Sequence, residues 1–237
     1  MNRRAAFLAL SLPLWLPVTA SACTRPVLVH LDESGRPHES MFCVGVAACC
    51  DMAAMEDRWR AIRARVGFSA NRILSGHSRD KHKVSYFNAL LEDWLAGDQL
   101  TISVGVFRRA PNVAELTAAQ RVNLRASEAA TAIGLLPRAS ELQIAYKRRG
   151  NTSSVDDTWA AEVKRRAPTV TGIAQVQASG SEVLQFLDAV TGTLRQSFTR
   201  NTHNAAKQAC QSRLFNALGV SGIENGLTHR RCLVHLL

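Results

Sequence analysis

Two acidic residues end an apolar segment near the start of the chain, V-L-V-H-L-D-E-S-G over residues 27–35. A short apolar run that ends in carboxylates and a Ser-Gly pair is typical of a buried strand that brings acids to the edge of a sheet. Side chains alternate along a strand, so Asp32 and Glu33 share one pocket only if the strand turns there, and Ser34-Gly35 predicts such a turn. The alternative is a solvated polar hairpin turn.

A second group with chemical potential lies late in the chain, in V-L-Q-F-L-D-A-V-T-G over residues 183–192. Gln185, Asp188 and Gly192 are spaced at i, i+3 and i+7, so they share one face of a predicted helix. An aspartate in such an apolar segment is usually solvated, and it needs a partner if it is buried.

The elements that must position these groups alternate between strands and helices. Such alternation predicts one α/β domain with a mixed sheet, and a strand over 41–50 is expected to pair antiparallel to the first. The other predicted strands cover 100–107, 141–146 and 169–177. The predicted helices run from the N-cap Asp51 to about 66, and over 84–95, 114–133, 157–166, 182–198 (capped by Ser181 or Ser179) and 204–218. Residues 220–237 are predicted to be a tail without regular structure.

Composition and charge limit the class of protein. The chain has 237 residues, of which 46% are hydrophobic and 20% charged, as in a globular protein. Its net charge of +10 favours a polyanionic partner, although a basic surface also serves solubility. There is no Gly-rich phosphate loop, G-x-S-x-G or H-E-x-x-H motif in the sequence.

The first 22 residues are predicted to be a secretory signal peptide. They contain Arg3-Arg4, a short apolar run and the small-residue site Ala20-Ser21-Ala22. A cleaved signal implies a periplasmic or secreted protein, whereas translation from a later start implies a cytoplasmic one. No segment is long and apolar enough to predict a membrane span. Most of the six cysteines are interpreted as small buried hydrophobic residues, with a disulfide at Cys210 or Cys232 as the alternative.

Three motifs together resemble the bacterial and phage family called domain of unknown function 3800. They are D-E-S-G on the first strand, F-C-V-G-V on the second and L-Q-F-L-D-A-V-T-G on the late helix; N-A-A-K-Q-A-C, which contains Lys207, resembles the end of that family. The resemblance covers 27–219. It implies a single ribonuclease H-like domain over 24–219, with a mixed sheet of about five strands flanked by helices.

The resemblance also implies a divalent metal site for Mg²⁺ or Mn²⁺. Asp32 would be the central ligand and Asp188 the ligand from the late helix, with Glu33 as a neighbouring catalytic acid. Gln185 and Ser34 would lie in the surrounding hydrogen-bonding layer. Oxygen ligands of this kind suit two cations that bridge a scissile phosphate.

The acidic set is incomplete by comparison with the family. The loop R-I-L-S-G-H-S at 72–78 lacks an expected Glu, and the fourth strand ends in Tyr146 rather than Asp. His77, Asp80 or His82 are the available substitutes, and each is also explained as a solvated loop residue.

Cationic residues that follow two predicted strand ends are candidates for binding nucleic acid. Together with Lys207 they are Arg108, Arg109, Lys147, Arg148 and Arg149. The resemblance, taken with these cations, implies a ribonuclease H-like protein that acts on or binds nucleic acid, and metal-dependent phosphodiester hydrolysis is the activity that its incomplete acidic set would support. The alternatives are a non-catalytic nucleic-acid-binding or scaffolding protein, and an exported protein whose partner is not nucleic acid.

Overall fold

A computed structural model describes residues 27–35, 41–69, 81–109, 115–136, 141–147, 153–199 and 205–237. The strands in these ranges are β1 (Val27–Ser34), β2 (Met41–Cys49), β3 (Leu100–Arg108), β4 (Leu142–Lys147), β5 (Val170–Val176), β6 (Leu227–Thr228) and β7 (Cys232–Leu236). The α-helices are α1 (Met52–Arg65), α2 (Lys81–Ala96), α3 (Ala118–Gly134), α4 (Ser153–Arg166), α5 (Glu182–Thr199) and α6 (Ala205–Leu218). The predicted signal peptide lies outside the described residues.

The strands form one mixed sheet in the order β5-β4-β1-β2-β3-β7-β6. β2 is antiparallel to both β1 and β3, while β4 is parallel to β1, β5 to β4 and β7 to β3. The predicted α/β class and the antiparallel pairing of the first two strands are confirmed. The prediction of about five strands was wrong, because part of the predicted tail forms β6 and β7.

Helices cover both faces of the sheet. The side chains of β2 point alternately into two cores: Phe42, Val44 and Val46 meet α3 and α4, whereas Cys43 and Ala47 meet the layer of α1, α2, α5 and α6. A strand that is buried on both faces of a sheet carries apolar side chains on both of its sides. This explains the continuous apolar run of β2.

An aromatic cluster fixes the position of α5 within its layer. The ring of Phe186 packs against Trp59 of α1 and against Phe87 and Trp94 of α2, with ring centroids 5.0, 5.4 and 5.5 Å apart. Such aromatic pairs add to the stability gained from burial alone. The helix that bears Gln185 and Asp188 is therefore held on the side away from the sheet as well.

Capping residues explain where two of the helices begin. Asp51 accepts a hydrogen bond from the backbone N–H of Ala54, as predicted for the N-cap of α1. α3 begins at Ala118 rather than at the predicted 114, because Thr117 and Gln120 form a reciprocal capping box at that point.

The described cysteines are mostly core residues. Cys43, Cys49, Cys210 and Cys232 are buried free thiols, so a disulfide at either of the last two is excluded. Burial raises the pKa of Cys43 to about 12, which makes it unreactive. Cys50, exposed after β2, is disulfide-bonded.

Candidate functional site

His30, Asp32 and Ser34 alternate with the core residues Val29 and Leu31 along β1, so they share the face of the sheet that α5 covers. Nδ1 of His30 lies 3.1 Å from the hydroxyl oxygen of Ser181, which precedes α5. A Cβ atom at Gly192 would lie 3.8 Å from the hydroxyl oxygen of Ser34. Asp32 lies between these two contacts and is 1% exposed. The predicted central acid is therefore buried on the α5 side.

The matching face of α5 carries the other predicted site residues. Ser181, Gln185, Asp188 and Gly192 follow one another at helical spacing, and the first and last of them meet β1. Asp188 lies on the segment between these contacts and is half-buried, whereas Gln185 is buried. The structure thus brings Asp32, Ser34, Gln185 and Asp188 to one β1–α5 interface, defined by these four residues with His30, Ser181 and Gly192.

A glycine on β2 allows this interface to form. Gly45 lies opposite Asp32 in the β1–β2 register. A Cβ atom at Gly45 would lie 2.0 Å from Oγ1 of Thr191 and 3.0 Å from Cδ1 of Leu187, both on α5. Real Cβ contacts are never so short, so α5 can lie this close to the sheet beside Asp32 only because residue 45 has no side chain.

Two buried polar groups lie on α5. Nε2 of Gln185 and Oγ1 of Thr191 have no hydrogen-bond partner among the described residues, and their side chains are 3% and 0% exposed. Leaving such a group unsatisfied costs about 1–3 kcal/mol. Exceptions of this kind in a folded protein point to a bound ion, to water or to a functional role. α5 therefore has hydrogen-bonding capacity that the described part of the chain does not use.

Arg63 of α1 is a site residue that sequence reasoning missed. Its Nη2 donates to Oε1 of Gln185 at 3.1 Å and to Oε2 of Glu182 at 2.9 Å. Its guanidinium lies 4.9 and 5.2 Å from the ring centroids of Phe68 and Tyr86, within cation–π range. Arg63 is 119 and 122 residues from Glu182 and Gln185, so only the fold reveals these two contacts.

A buried hydrogen-bond network holds the start of α5. The hydroxyl oxygen of Ser181 accepts from the backbone N–H of Leu184, which makes Ser181 the N-cap. The carboxylate of Glu56, on α1, accepts from the Ser181 hydroxyl and from the backbone N–H groups of Glu182 and Val183, the latter two at 2.6 and 3.3 Å. A carboxylate at this position also suits the positive end of the helix dipole.

The histidine in this network predicts a pH dependence of stability. Burial lowers the pKa of His30 to about 4 from its ordinary 6.5. Between these values the unfolded state binds more protons than the folded state, so the free energy of unfolding falls as the pH falls. Burial raises the pKa of Glu56, although hydrogen bonds oppose this, and its contribution has the opposite sign.

We expect His30→Gln to remove a slope of at most about 1.4 kcal/mol per pH unit between pH 6.5 and 4. Urea midpoints measured across this range check the result. His82→Gln, which changes an exposed histidine on α2, should keep the wild-type slope. If the free energy of unfolding depends on pH equally in the wild type and in His30→Gln, the pH dependence does not come from His30.

Glu33 does not join the site. It remains within β1 because the chain turns only after Ser34, at Gly35, where φ is +124°. Its side chain therefore points to the opposite face of the sheet, where Oε2 accepts two hydrogen bonds from Arg125 of α3, at 3.0 and 2.7 Å. The prediction of Glu33 as a catalytic neighbour of Asp32 was wrong by one strand position.

The predicted basic residues have different environments. Arg109 is not a surface cation: it is buried, forms two hydrogen bonds with Glu128 of α3 and lies over the ring of Phe42. Arg108 is exposed at the end of β3, and Lys147 ends β4. Because β3 and β4 run in the same direction as β1, these two residues lie at the sheet edge nearest Asp32. Lys207 is half-buried on α6, and residues 148–149 lie outside the described ranges.

Among the residues that the structure describes, the end of β4 offers no acid beside Asp32 in place of the expected one. Leu31 pairs with Tyr146, so the end of β4 is next to Asp32, and it offers Ala145, Tyr146 and Lys147. Within the described residues no three or more His, Cys, Asp or Glu side chains are grouped to hold a metal ion. Of the proposed substitutes, residues 77 and 80 fall outside the described ranges.

The donors at the interface fit one cation better than two. Mg²⁺ is commonly bound through one or two carboxylates together with water and substrate phosphate oxygens. Asp32 and Asp188 match that requirement, and the unsatisfied Gln185 and Thr191 groups could bind the accompanying oxygens. A site for two ions needs more carboxylates than the described residues provide here.

None of the helices in the described ranges combines the length and the apolar character needed to cross a bilayer. Comparison with protein-family models, with curated proteins and with solved structures gave no match.

Proposed function

We propose that this protein is a ribonuclease H-like phosphodiesterase that acts on nucleic acid, with one divalent cation, Mg²⁺ or Mn²⁺, bound between Asp32 and Asp188. The observation that most supports this function is the burial of Asp32 on the face of β1 that meets the Asp188 helix. Polar groups of Gln185 and Thr191 that are unsatisfied among the described residues lie on the same helix as Asp188 and support a ligand there.

The arrangement of the strands supports the proposed fold family. Within the sheet the order β3-β2-β1-β4-β5 contains three antiparallel strands followed by two parallel strands. This is the order expected of a ribonuclease H-like core, and β7 and β6 extend it beyond β3. The resemblance to the domain of unknown function 3800 family, which places acids on the first strand and on a late helix, points to the same site.

Each site residue has a distinct task in this proposal. Asp32 is held in place by burial, and half-buried Asp188 would be the acid that a polymer substrate can reach. When bound, the cation would polarise a phosphoryl oxygen and lower the pKa of a water molecule. Gln185 would donate a hydrogen bond to an oxygen of the ligand, and Ser34 would border the opening.

The charge of the protein supports a polyanionic substrate. The net charge is +10, and Arg108 and Lys147 lie at the sheet edge nearest Asp32. Cations at such an edge bind backbone phosphates without reading the sequence of the bases. We therefore propose contacts with the phosphodiester backbone rather than with individual bases.

The test is cleavage of RNA, DNA and hybrid substrates with Mg²⁺ or Mn²⁺. We expect Asp32→Asn and Asp188→Asn to lose activity by more than the roughly 10–100-fold typical of residues around a metal site. Asp57→Asn, which removes an exposed carboxylate of α1 paired with Arg60, should retain activity. Circular dichroism would verify that the variants fold, and undiminished cleavage by Asp32→Asn would refute the site.

A non-catalytic nucleic-acid-binding protein is the second candidate. It is favoured by one observation, namely that β4 ends beside Asp32 without an acid. It predicts salt-sensitive binding without cleavage, unchanged in Asp32→Asn and independent of divalent cations. The same substrates and variants therefore separate the two functions.

A further inference from the structure

Arg63 determines which end of the Gln185 amide faces the β1–α5 interface. Nη2 of Arg63 lies 3.1 Å from Oε1 of Gln185. A guanidinium has only hydrogen-bond donors, so the atom of the amide that faces it must be the oxygen. The amide nitrogen is therefore directed elsewhere, and it is buried without an acceptor among the described residues. Its orientation follows from chemistry and not from the assignment of atoms alone.

Arg63 is itself held in place. Its Nε lies 2.6 Å from Oε1 of Glu182, and its side chain is 20% exposed. The ring of Tyr86 packs on the guanidinium, and its hydroxyl donates a hydrogen bond to the carboxylate of Glu182. Phe68 stacks on the ring of Tyr86, with centroids 4.6 Å apart. A side chain with this many constraints can fix the amide of its neighbour before any ligand binds.

We propose that Arg63 is a positioning residue that keeps the Gln185 amide nitrogen as a donor to a phosphate oxygen bound beside Asp32 and Asp188. This inference rests on the proposed function and specifies the ligand further. An amide N–H₂ group cannot coordinate a metal ion, whereas it binds an anionic oxygen well. The interface would therefore take one cation and one phosphate oxygen rather than two cations.

The first test is affinity for a short DNA or RNA oligonucleotide in the presence of Mg²⁺. We expect Gln185→Met and Arg63→Met each to weaken binding about tenfold, as for other residues that orient a ligand. The double variant should be no weaker than either single variant, because both remove the same interaction. Arg63→Lys, which retains a donor for Oε1 of Gln185, should recover part of the affinity.

Tyr86→Phe is the matched control for a merely structural role. It removes the hydroxyl that donates to Glu182 but keeps the ring that packs on the guanidinium, so we expect the contact between Arg63 and Gln185 to remain. If the role of Arg63 is purely structural, Arg63→Met and Tyr86→Phe should both lose oligonucleotide affinity in proportion to their loss of thermal stability. The positioning role predicts that Tyr86→Phe loses stability while affinity is retained.

The second test observes the amide directly by ¹H–¹⁵N NMR. The Gln185 side-chain signals, identified by their absence in Gln185→Met, should shift when oligonucleotide and Mg²⁺ are added, and shift less in Arg63→Met. If they do not move while Mn²⁺ still broadens signals around Asp32 and Asp188, the inference fails and the proposed metal site stands. If neither Mn²⁺ nor oligonucleotide binds the wild-type protein, both fail.

Discussion

Replacing Arg109 with leucine is expected to lower the free energy of unfolding by about 3–5 kcal/mol. The Arg109 and Glu128 side chains are 2% and 4% exposed, so the substitution leaves a buried carboxylate without its partner. Burial raises the pKa of Glu128, and Arg109 is the strongest group that opposes this. The loss should therefore grow as the pH rises above about 4.5, because the ionised carboxylate is the penalised form. Urea denaturation at several pH values measures it.

Two further variants test the cause of this loss. The double variant Arg109→Leu with Glu128→Leu should regain most of the stability, because no buried charge is then left alone. Arg165→Leu breaks an exposed pair with Glu162 on α4 and should cost no more than about 1 kcal/mol. A similar small loss for Arg109→Leu would show that water reaches Glu128 freely.

Replacing Gly45 with alanine is expected to cost about 3 kcal/mol, at the upper end of the usual range for overpacking. The new methyl group would meet Oγ1 of Thr191 and Cδ1 of Leu187 at distances that require α5 to move away from the sheet. Because Asp32 lies opposite Gly45, we also expect the displacement to reduce any activity that depends on Asp188. Chemical denaturation and the cleavage assay measure the two effects.

Addition of Thr191→Ala should restore part of the stability, since it removes the atom in closest conflict with the new methyl group. Gly134→Ala is the matched control: nothing lies within 4 Å of a Cβ atom there, at the end of α3. It should change stability by less than about 1 kcal/mol. If Gly45→Ala and Gly134→Ala change the free energy of unfolding equally, α5 can move away from the sheet without loss of stability.

The sequence was most informative where the signal is local. The apolar run of β2, the N-cap Asp51 and the amphipathic pattern of α5 depend on residues close together in the chain. They located the elements within a few residues of their observed bounds. The placement of Gln185 and Asp188 on the α5 face that meets β1 follows from the same helical spacing.

The failures concern partners that are distant in sequence. Arg109 follows a strand end and resembles a surface cation until α3 supplies Glu128, whereas Arg63 and Glu56 meet α5 across sequence separations of 119 and 125 residues. Glu33 was misplaced because the turn begins one residue later than Ser34 suggested. β7 is only five residues long, too short for its pattern to stand out from an irregular tail.

The placement of the two aspartates has a consequence for how the site is assembled. Asp32 and Gly45 belong to a hairpin of neighbouring strands, which can form early because its contacts are local. Asp188 lies on α5, which is distant in sequence from Asp32, so its packing against the hairpin requires the closure of a much longer loop. Local opening of α5 would thus separate the two proposed ligands while the hairpin stays paired, so the proposed activity and global folding are separable properties of this chain.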